Sequence, residues 1–283
     1  MQACQSSFDL IDPVLFSIGW FELRWYALAY IAGLFLGYAL VLHVVKRPAL
    51  WGTTAKTQAA PFDTKFVEDL LLWVMVGVIA GGRIGFVLFY QTSMIWEEPL
   101  RVITGITEGG MSFHGGLIGV ALAMFFTARA HGAPLLRVAD AVALATPIGL
   151  LLGRLANFIN GELWGRPAPD LPWAMTFAAD PLCLARHPSQ LYEAFLEGAV
   201  LLAILTVLVW RFRALAKPGL VTGAFLIGYG VFRAGVELVR EPDRQMPEAL
   251  QGYVTMGMLL CIPMILAGAY LVWRARIQTA VKA

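Results

Sequence analysis

Charge is scarce in this chain. Of 283 residues only 14% are Asp, Glu, Lys or Arg, against about 25% in soluble domains. With 59% hydrophobic residues and a mean hydropathy of +0.69, a soluble globular domain is excluded. Cysteine is nearly absent too. The three present, Cys4, Cys183 and Cys261, have no metal-ligand spacing, so a zinc site or a disulfide scaffold is excluded and no metal is expected. Cys261 falls in an apolar run; Cys4 and Cys183 share one side of the membrane, where a disulfide is the alternative to the unpaired thiols expected. There is no HExxH, no serine–histidine pair and no pair of midplane aspartates, which removes the intramembrane protease chemistries. Long linkers, low-complexity tracts and internal repeats are also missing, so residues 1–283 read as one polytopic membrane domain. No basic segment with a cleavage site precedes the first apolar run, so no removable signal peptide is expected. The net charge of +2 says little about partners; no nucleic-acid partner is expected.

What is there is a series of apolar runs close to the ~20 residues that cross ~30 Å of hydrocarbon. Seven spans are expected, at roughly 19–43, 66–91, 113–130, 138–158, 189–211, 219–240 and 252–273. The fold class is therefore all-α integral membrane, a seven-transmembrane-helix bundle. Basic residues set its orientation. With the first loop inside, the inner segments hold Lys46, Arg47, Lys56, Lys65, Arg129, Arg137, Arg211, Arg213, Lys217, Arg274, Arg276 and Lys282, twelve of the 21 Lys and Arg. The outer loops are mixed or acidic: Glu97, Glu98 and Glu108 face Arg101. The N-terminus is thus expected outside and the C-terminus in the cytoplasm, with Trp20, Trp25 and Tyr26 in the outer headgroup belt.

Several polar residues stand where lipid should exclude them. An ion at the bilayer centre costs about 2.5–3.5 kcal/mol on insertion scales, which makes each one a functional candidate. In YGVFRAGVELVR, Tyr229, Arg233, Glu237 and Arg240 share one stripe of the sixth span. A purely structural Arg–Glu ladder is the plain alternative, but two arginines against one glutamate leave a surplus positive charge. In the fourth span Arg154 and Asn157 share a face near the outer boundary; the alternative is an arginine snorkelling to the interface. Ser112 can cap the third span and puts His114 in its first turn, where helix N–H groups favour an anion. Arg83, flanked by glycines in GGRIG, is placed for close helix contact and a carboxylate partner. Glu193 and Glu197, one turn apart on the fifth span, are either acid–base groups or partners of the arginines. His187 precedes a proline and reads as a loop-fixing group. The inner halves of the spans are nearly uncharged apart from Glu68 and Asp69, which argues for a one-sided site and against a lipid transporter. Arginine's planar fork of donors suits phosphate, and at this depth the simplest anion is a phospholipid headgroup.

Four segments carry a family resemblance: HGGLIG (114–119), GRLANFINGELWGR (153–166), RHPSQLYEA (186–194) and GYGVFRAGVELVREPD (228–243). Together they closely resemble the bacterial phosphatidylglycerol–prolipoprotein diacylglyceryl transferases, from the first span to the last. The long middle motif is the specific one. The resemblance implies transfer of the diacylglyceryl group of phosphatidylglycerol to the lipobox cysteine of a preprolipoprotein signal peptide. The product is a thioether, glycerol 1-phosphate leaves, and no cofactor is implied. It also implies the bacterial inner membrane, with the site toward the periplasm. His114, Arg154 and Arg233 are then the catalytic candidates. Tyr26, Arg83, Asn157, Glu162, Gly165, Tyr229, Glu237 and Arg240 are candidates for binding substrate. A thiolate is the competent nucleophile; either His114 takes its proton or the cationic surroundings depress the thiol's own pKa. Residues 159–188 read as a small outer head, with a short strand at WAMTF (173–177) and a plain turn at Asp180–Pro181–Leu182.

Overall fold

The computed structural model describes residues 11–19, 21–52, 59–241 and 255–280. Cys4, Trp20, Lys56 and Lys282 lie outside them. In chain order the elements are a hairpin, β1 (Val14–Ile18) and β2 (Phe21–Arg24), then α1 (Trp25–Val45), α2 (Thr64–Tyr90), the short α3 (Met94–Glu97) and α4 (Arg101–Thr104), α5 (Phe113–Ala130), α6 (Leu135–Ile159), α7 (Ser189–Glu193), α8 (Leu201–Phe212), α9 (Leu220–Val236) and α10 (Met256–Ala280). A π-helical segment, Ala194–Val200, joins α7 to α8 without a break.

Among the described residues six helices are long and apolar enough to cross a membrane: Trp25–Val45, Thr64–Tyr90, Phe113–Ala130, Leu135–Ile159, Ser189–Phe212 and Met256–Gln278. The protein is thus a helical integral membrane protein. Two expectations need correction. The first apolar helix starts at Trp25 rather than near residue 19, because Val14–Ile18 and Phe21–Arg24 pair as an antiparallel hairpin with Ser17 opposite Glu22. α9 has only 17 residues, about 25 Å at 1.5 Å per residue. It ends at Val236, so Glu237 and Arg240 follow the helix proper, although their N–H groups still bond back to Arg233 and Val236.

The chain divides into two compact units. One takes the described residues of 1–41, 50–52 and 140–283. Within it α9 packs on α10 through glycine: a Cβ on Gly223 would lie 2.7 Å from the carbonyl oxygen of Gly268. Without a hydrophobic drive between helices in lipid, such close backbone approach is what holds them. The start of α9 is fixed from α6. The Asp140 carboxylate, fully buried, accepts from Gly219 N at 2.7 Å and from Thr222 N and Oγ1, each at 2.8 Å. A carboxylate at a helix N-terminus satisfies free N–H groups and meets the positive dipole end.

The other unit takes the described residues of 42–49 and 53–139. Here α2 lies on α5 through facing glycines, and a Cβ on Gly85 would come within 2.7 Å of the Gly115 Cα. Asp63 caps α2 by accepting from Phe66 N at 2.8 Å. Ser112 caps α5 by accepting from Gly115 N at 3.2 Å, as its position before HGG predicts. Cys183 is exposed and Cys261 buried, and neither is in a disulfide.

Candidate active site

Glu193 is the centre of the polar network in the first unit. Its carboxylate, fully buried, lies 2.5 Å from Arg154 Nε, 3.3 Å from Arg233 NH1 and 3.8 Å from Arg240 Nε. α6, α9 and the turn after α9 each contribute one of those arginines. Arg233 also pairs with Glu237 and lies 3.9 Å from Glu197. Arg240 NH1 donates to Glu237 Oε1 at 3.3 Å. The guanidinium groups expected to gather do so.

The expected surplus of positive charge is not found. Among the described residues the ion-paired set is Arg154, Arg233 and Arg240 against Glu193, Glu197 and Glu237, three of each sign. The stripe on α9 and the turn after it carry two arginines and one glutamate; the other two anions, Glu193 and Glu197, come from the helix beside it. Glu193 and Glu197 are the residues that sequence reasoning undervalued. Two buried glutamates one turn apart on an apolar span were the available signal, and it pointed rightly to arginine partners. The contacts are close in distance but poor in angle. Both oxygens of Glu193, both of Glu197 and NH1 of Arg233 are buried without a hydrogen-bond partner among the described residues. Most buried polar groups have such a partner, so this cluster is held by charge rather than by aligned donors.

Around the cluster, Asn157 Nδ2 donates to Glu162 Oε1 at 2.7 Å, with Asn160 Nδ2 at 3.4 Å from the same oxygen. Gln190 Nε2 donates to the Glu162 carbonyl at 2.6 Å, fixing the turn after α6. Tyr26 shares a 3.0 Å hydroxyl contact with Tyr30 and lies within electrostatic reach of Glu162 and Arg154. Tyr229 lies within reach of Glu197, Arg233 and Arg154.

Gly165 has a packing reason. Its N–H donates to the His187 carbonyl at 2.9 Å, and a Cβ there would sit 2.5 Å from the Val239 carbonyl oxygen. It lets the segment after α6 pass between two other backbones. Arg166 N donates to the Val239 carbonyl and Arg166 Nε to the Arg240 carbonyl at 2.9 Å. Residues 165–187 thereby hold the backbone that carries Arg240.

Asp180 corrects the plain-turn expectation. It is buried and accepts from Arg186 Nε at 2.7 Å and NH2 at 3.2 Å, while Leu182 and Leu184 N–H donate to it. Burial alone would raise the Asp180 pKa, but the Arg186 hydrogen bond and the two backbone donors outweigh it and hold the carboxyl below the usual aspartate range. The hydrogen bond to Asp180 raises Arg186 in turn. Arg186 also reaches Gly165 O and Glu241 Oε2, at 3.3 and 3.0 Å, and lies over the Trp164 ring. The strand expected at WAMTF is one bridge, Met175 with Arg186. His187 meets Tyr192 OH at 3.4 Å, a loop contact as expected.

In the second unit, Arg83 overturns the expected carboxylate partner. All its donors are taken by one loop: Nε by Val102 O at 2.8 Å, NH1 by Gly109 O and Gly110 O at 3.0 and 3.4 Å, and NH2 by Arg101 O at 2.6 Å and Met94 Sδ at 3.7 Å. A guanidinium has five N–H groups, so none remains for a substrate. His114 is exposed in the first turn of α5, its ring edge-on to Phe113. A cavity of about 480 Å³ in this unit, lined by Val45, Lys46, Asp63, Phe66 and His131 among others, contains none of the candidate residues.

Spans and network together define a class: a helical integral membrane protein with a charged arginine–glutamate cluster buried among its apolar helices. Comparison with known proteins narrows it. The sequence model of the family described as prolipoprotein diacylglyceryl transferase matches residues 13–274. The chain is 49% identical over 274 residues to the phosphatidylglycerol–prolipoprotein diacylglyceryl transferase of Rhizobium meliloti (strain 1021), covering 96% of this chain and 95% of that one. It is 50% identical over 279 residues to the protein of that name from Methylocella silvestris, with 98% of each covered. The Cereibacter sphaeroides protein of that name is 50% identical over 292 residues, covering 95% of this chain and 97% of its own. The chain belongs to the prolipoprotein diacylglyceryl transferase family.

Proposed function

We infer that this protein is a phosphatidylglycerol–prolipoprotein diacylglyceryl transferase. It moves the diacylglyceryl group of phosphatidylglycerol to the lipobox cysteine of preprolipoproteins, the first step of lipoprotein maturation in a bacterial membrane. The observation that carries the mechanism is the convergence of Arg154, Arg233 and Arg240 on Glu193.

The cysteine sulfur attacks the glyceryl carbon esterified to phosphate. A C–S bond forms, the C–O bond to phosphate breaks, and glycerol 1-phosphate leaves with the bonding pair. Arg154 and Arg233 meet the charge growing on the leaving oxygen, which fixed cations in a site poor in water stabilise strongly. Glu193 and Glu237 hold the three guanidinium groups in place, with Arg240 set by Glu237. Tyr26 and Tyr229 donate to the headgroup, and Asn157 with Glu162 shapes the wall beside Arg154. His114 accepts the thiol proton and passes it to solvent; the alternative, a thiol ionised by its cationic surroundings, needs no base. Arg83 binds its own loop, and Gly165 serves by close packing.

The arrangement in the membrane is part of the same reading. α9 is the sixth of the seven spans, its 17 residues extended by the turn that carries Glu237 and Arg240. The N-terminus lies outside and the C-terminus in the cytoplasm of the inner membrane, as one polytopic domain. Residues 159–188 form a small periplasmic head, and the site opens to the outer leaflet. The excess of Lys and Arg in alternate loops supports this orientation. The test is incubation of the purified chain with phosphatidylglycerol and a lipobox peptide. A diacylglyceryl mass gain on the peptide cysteine is expected; an unmodified peptide with intact protein refutes the reading.

A further inference from the structure

The three carboxylates of the cluster are not equivalent. Glu193 faces three arginines, at 2.5, 3.3 and 3.8 Å, and Glu237 faces Arg233 and Arg240. Among the described residues Glu197 has one cation within 4 Å, Arg233 NH1 at 3.9 Å, and shares that nitrogen with Glu193. At 3.9 Å no charge-assisted hydrogen bond forms. Glu197 is fully buried, and neither of its oxygens receives a hydrogen bond from the described residues. The groups that act on it are Arg154 from α6, Glu193 from α7, Tyr229 and Arg233 from α9, Arg240 after α9, and the Cys261 thiol from α10. The other cluster carboxylate, Glu237, follows α9, and Glu162 is held by the amides of Asn157 and Asn160. A carboxylate ion in that position keeps the cost of leaving water, has a like charge one turn away, and lacks the donors that offset such a cost.

We propose that Glu197 carries a proton and thereby sets the arginine cluster at one net positive charge, the complement of a lipid headgroup with a single phosphodiester anion. With all three glutamates ionised the ion-paired set is neutral and has nothing to offer an anion. With Glu197 neutral, Arg154, Arg233 and Arg240 outweigh Glu193 and Glu237 by one. A zwitterionic headgroup then brings an ammonium with no free carboxylate to meet it, and a phosphomonoester dianion brings one charge too many. Glu197 also lies in the π-helical segment Ala194–Val200, and such irregular turns gather at functional sites. This assignment rests on the transferase reading, in which the cluster receives phosphatidylglycerol, and it makes Glu197 a positioning residue that acts through Arg233.

The test reads binding and turnover separately. Binding of phosphatidylglycerol to the full chain in nanodiscs, without peptide, is measured from about pH 6 to 9, above the ordinary range of a carboxyl; KM and kcat are then measured with peptide. Wild-type affinity falls on the alkaline side, approaching about tenfold per pH unit once the proton is lost. Glu197→Gln, neutral at every pH, flattens that fall. Glu197→Ala weakens binding throughout, and Gln recovers what Ala loses. A Gln variant that keeps the alkaline fall overturns the proposal, as does one that weakens binding at pH 6 as much as Glu193→Gln. If the variants do not fold, infrared spectra of the wild type decide: a protonated-carboxyl band that disappears as pH rises, in step with the fall in lipid affinity, supports the assignment, and no such band at neutral pH overturns it. A chain that binds with this pH dependence yet leaves the peptide unmodified loses the transferase reading and keeps the charge assignment.

Discussion

Arg233 and Arg83 are both buried arginines of apolar helices, and they are settled in opposite ways. Arg233, 8% exposed, is surrounded by carboxylates, and its NH1 has no hydrogen-bond partner among the described residues. Arg83, 5% exposed, touches no carboxylate among the described residues, and four carbonyls and a thioether take its donors. Carbonyls saturate donors without cancelling charge, which ties down a loop and leaves nothing to exchange. Carboxylates offset charge while leaving donors misaligned, so a guanidinium among them keeps an N–H group that no acceptor holds. An arginine within a span is therefore a functional signal only after its partners are known.

That contrast can be broken by substitution. The largest effect is expected at Arg233. Arg233→Ala should lower the transfer rate about 10²–10³-fold, the usual effect of losing one fixed charge at a developing anion, while membrane insertion persists. Near-normal rates would place Arg233 with Arg83 as a structural residue. Next comes Arg186, which is buried like the other two but hydrogen-bonded to Asp180 with good alignment. Asp180→Asn should cost roughly 3 kcal/mol of stability, because it leaves a buried guanidinium with only the half-exposed Glu241 as its anion. The sign of the pH effect follows from the lowered Asp180 value. The contribution is complete above the ordinary aspartate range and is lost as pH falls through the lower folded value. Wild type and Asp180→Asn should therefore converge in thermal stability only below about pH 4; a constant difference down to pH 2 would deny the pair its role.

Arg83→Lys should be milder, about 2 kcal/mol of stability, since three donors replace five and buried carbonyls lose partners. The folded fraction should keep its KM for phosphatidylglycerol; a large rise in KM would mean that Arg83 meets substrate after all. The smallest effect is at the surface. Arg101 and Glu98 pair at 2.9 Å with about half of each side chain exposed, and Glu98→Ala should change stability by less than about 0.5 kcal/mol. A larger loss would show that the loop around Arg83 depends on more than its carbonyls.

Much of this was legible in the sequence, and the parts that were not share a cause. Of the seven spans read from hydropathy, six are described helices long enough to cross a membrane, because lipid forces every exposed side chain to be apolar and every backbone donor to be satisfied within its own helix. Caps such as Ser112 were legible because they act within one turn. The hairpin at Val14–Arg24 was not, since a strand of only four residues abutting a span, Phe21–Arg24, reads equally well as its continuation. Asp180 looked like a turn residue because its partner, Arg186, is brought back to it only by the bridge at Met175.

By itself the sequence determined that the chain lives in a membrane, that Arg154, Arg233 and Arg240 must be compensated there, and which family they belong to. Only the tertiary structure decided how they are compensated. Hydropathy and capping are properties of one helix against its solvent, readable residue by residue. The balance of three arginines against three glutamates depends on which helices adjoin, because Coulomb interaction in a medium of low dielectric acts between neighbours in space, whatever their separation along the chain.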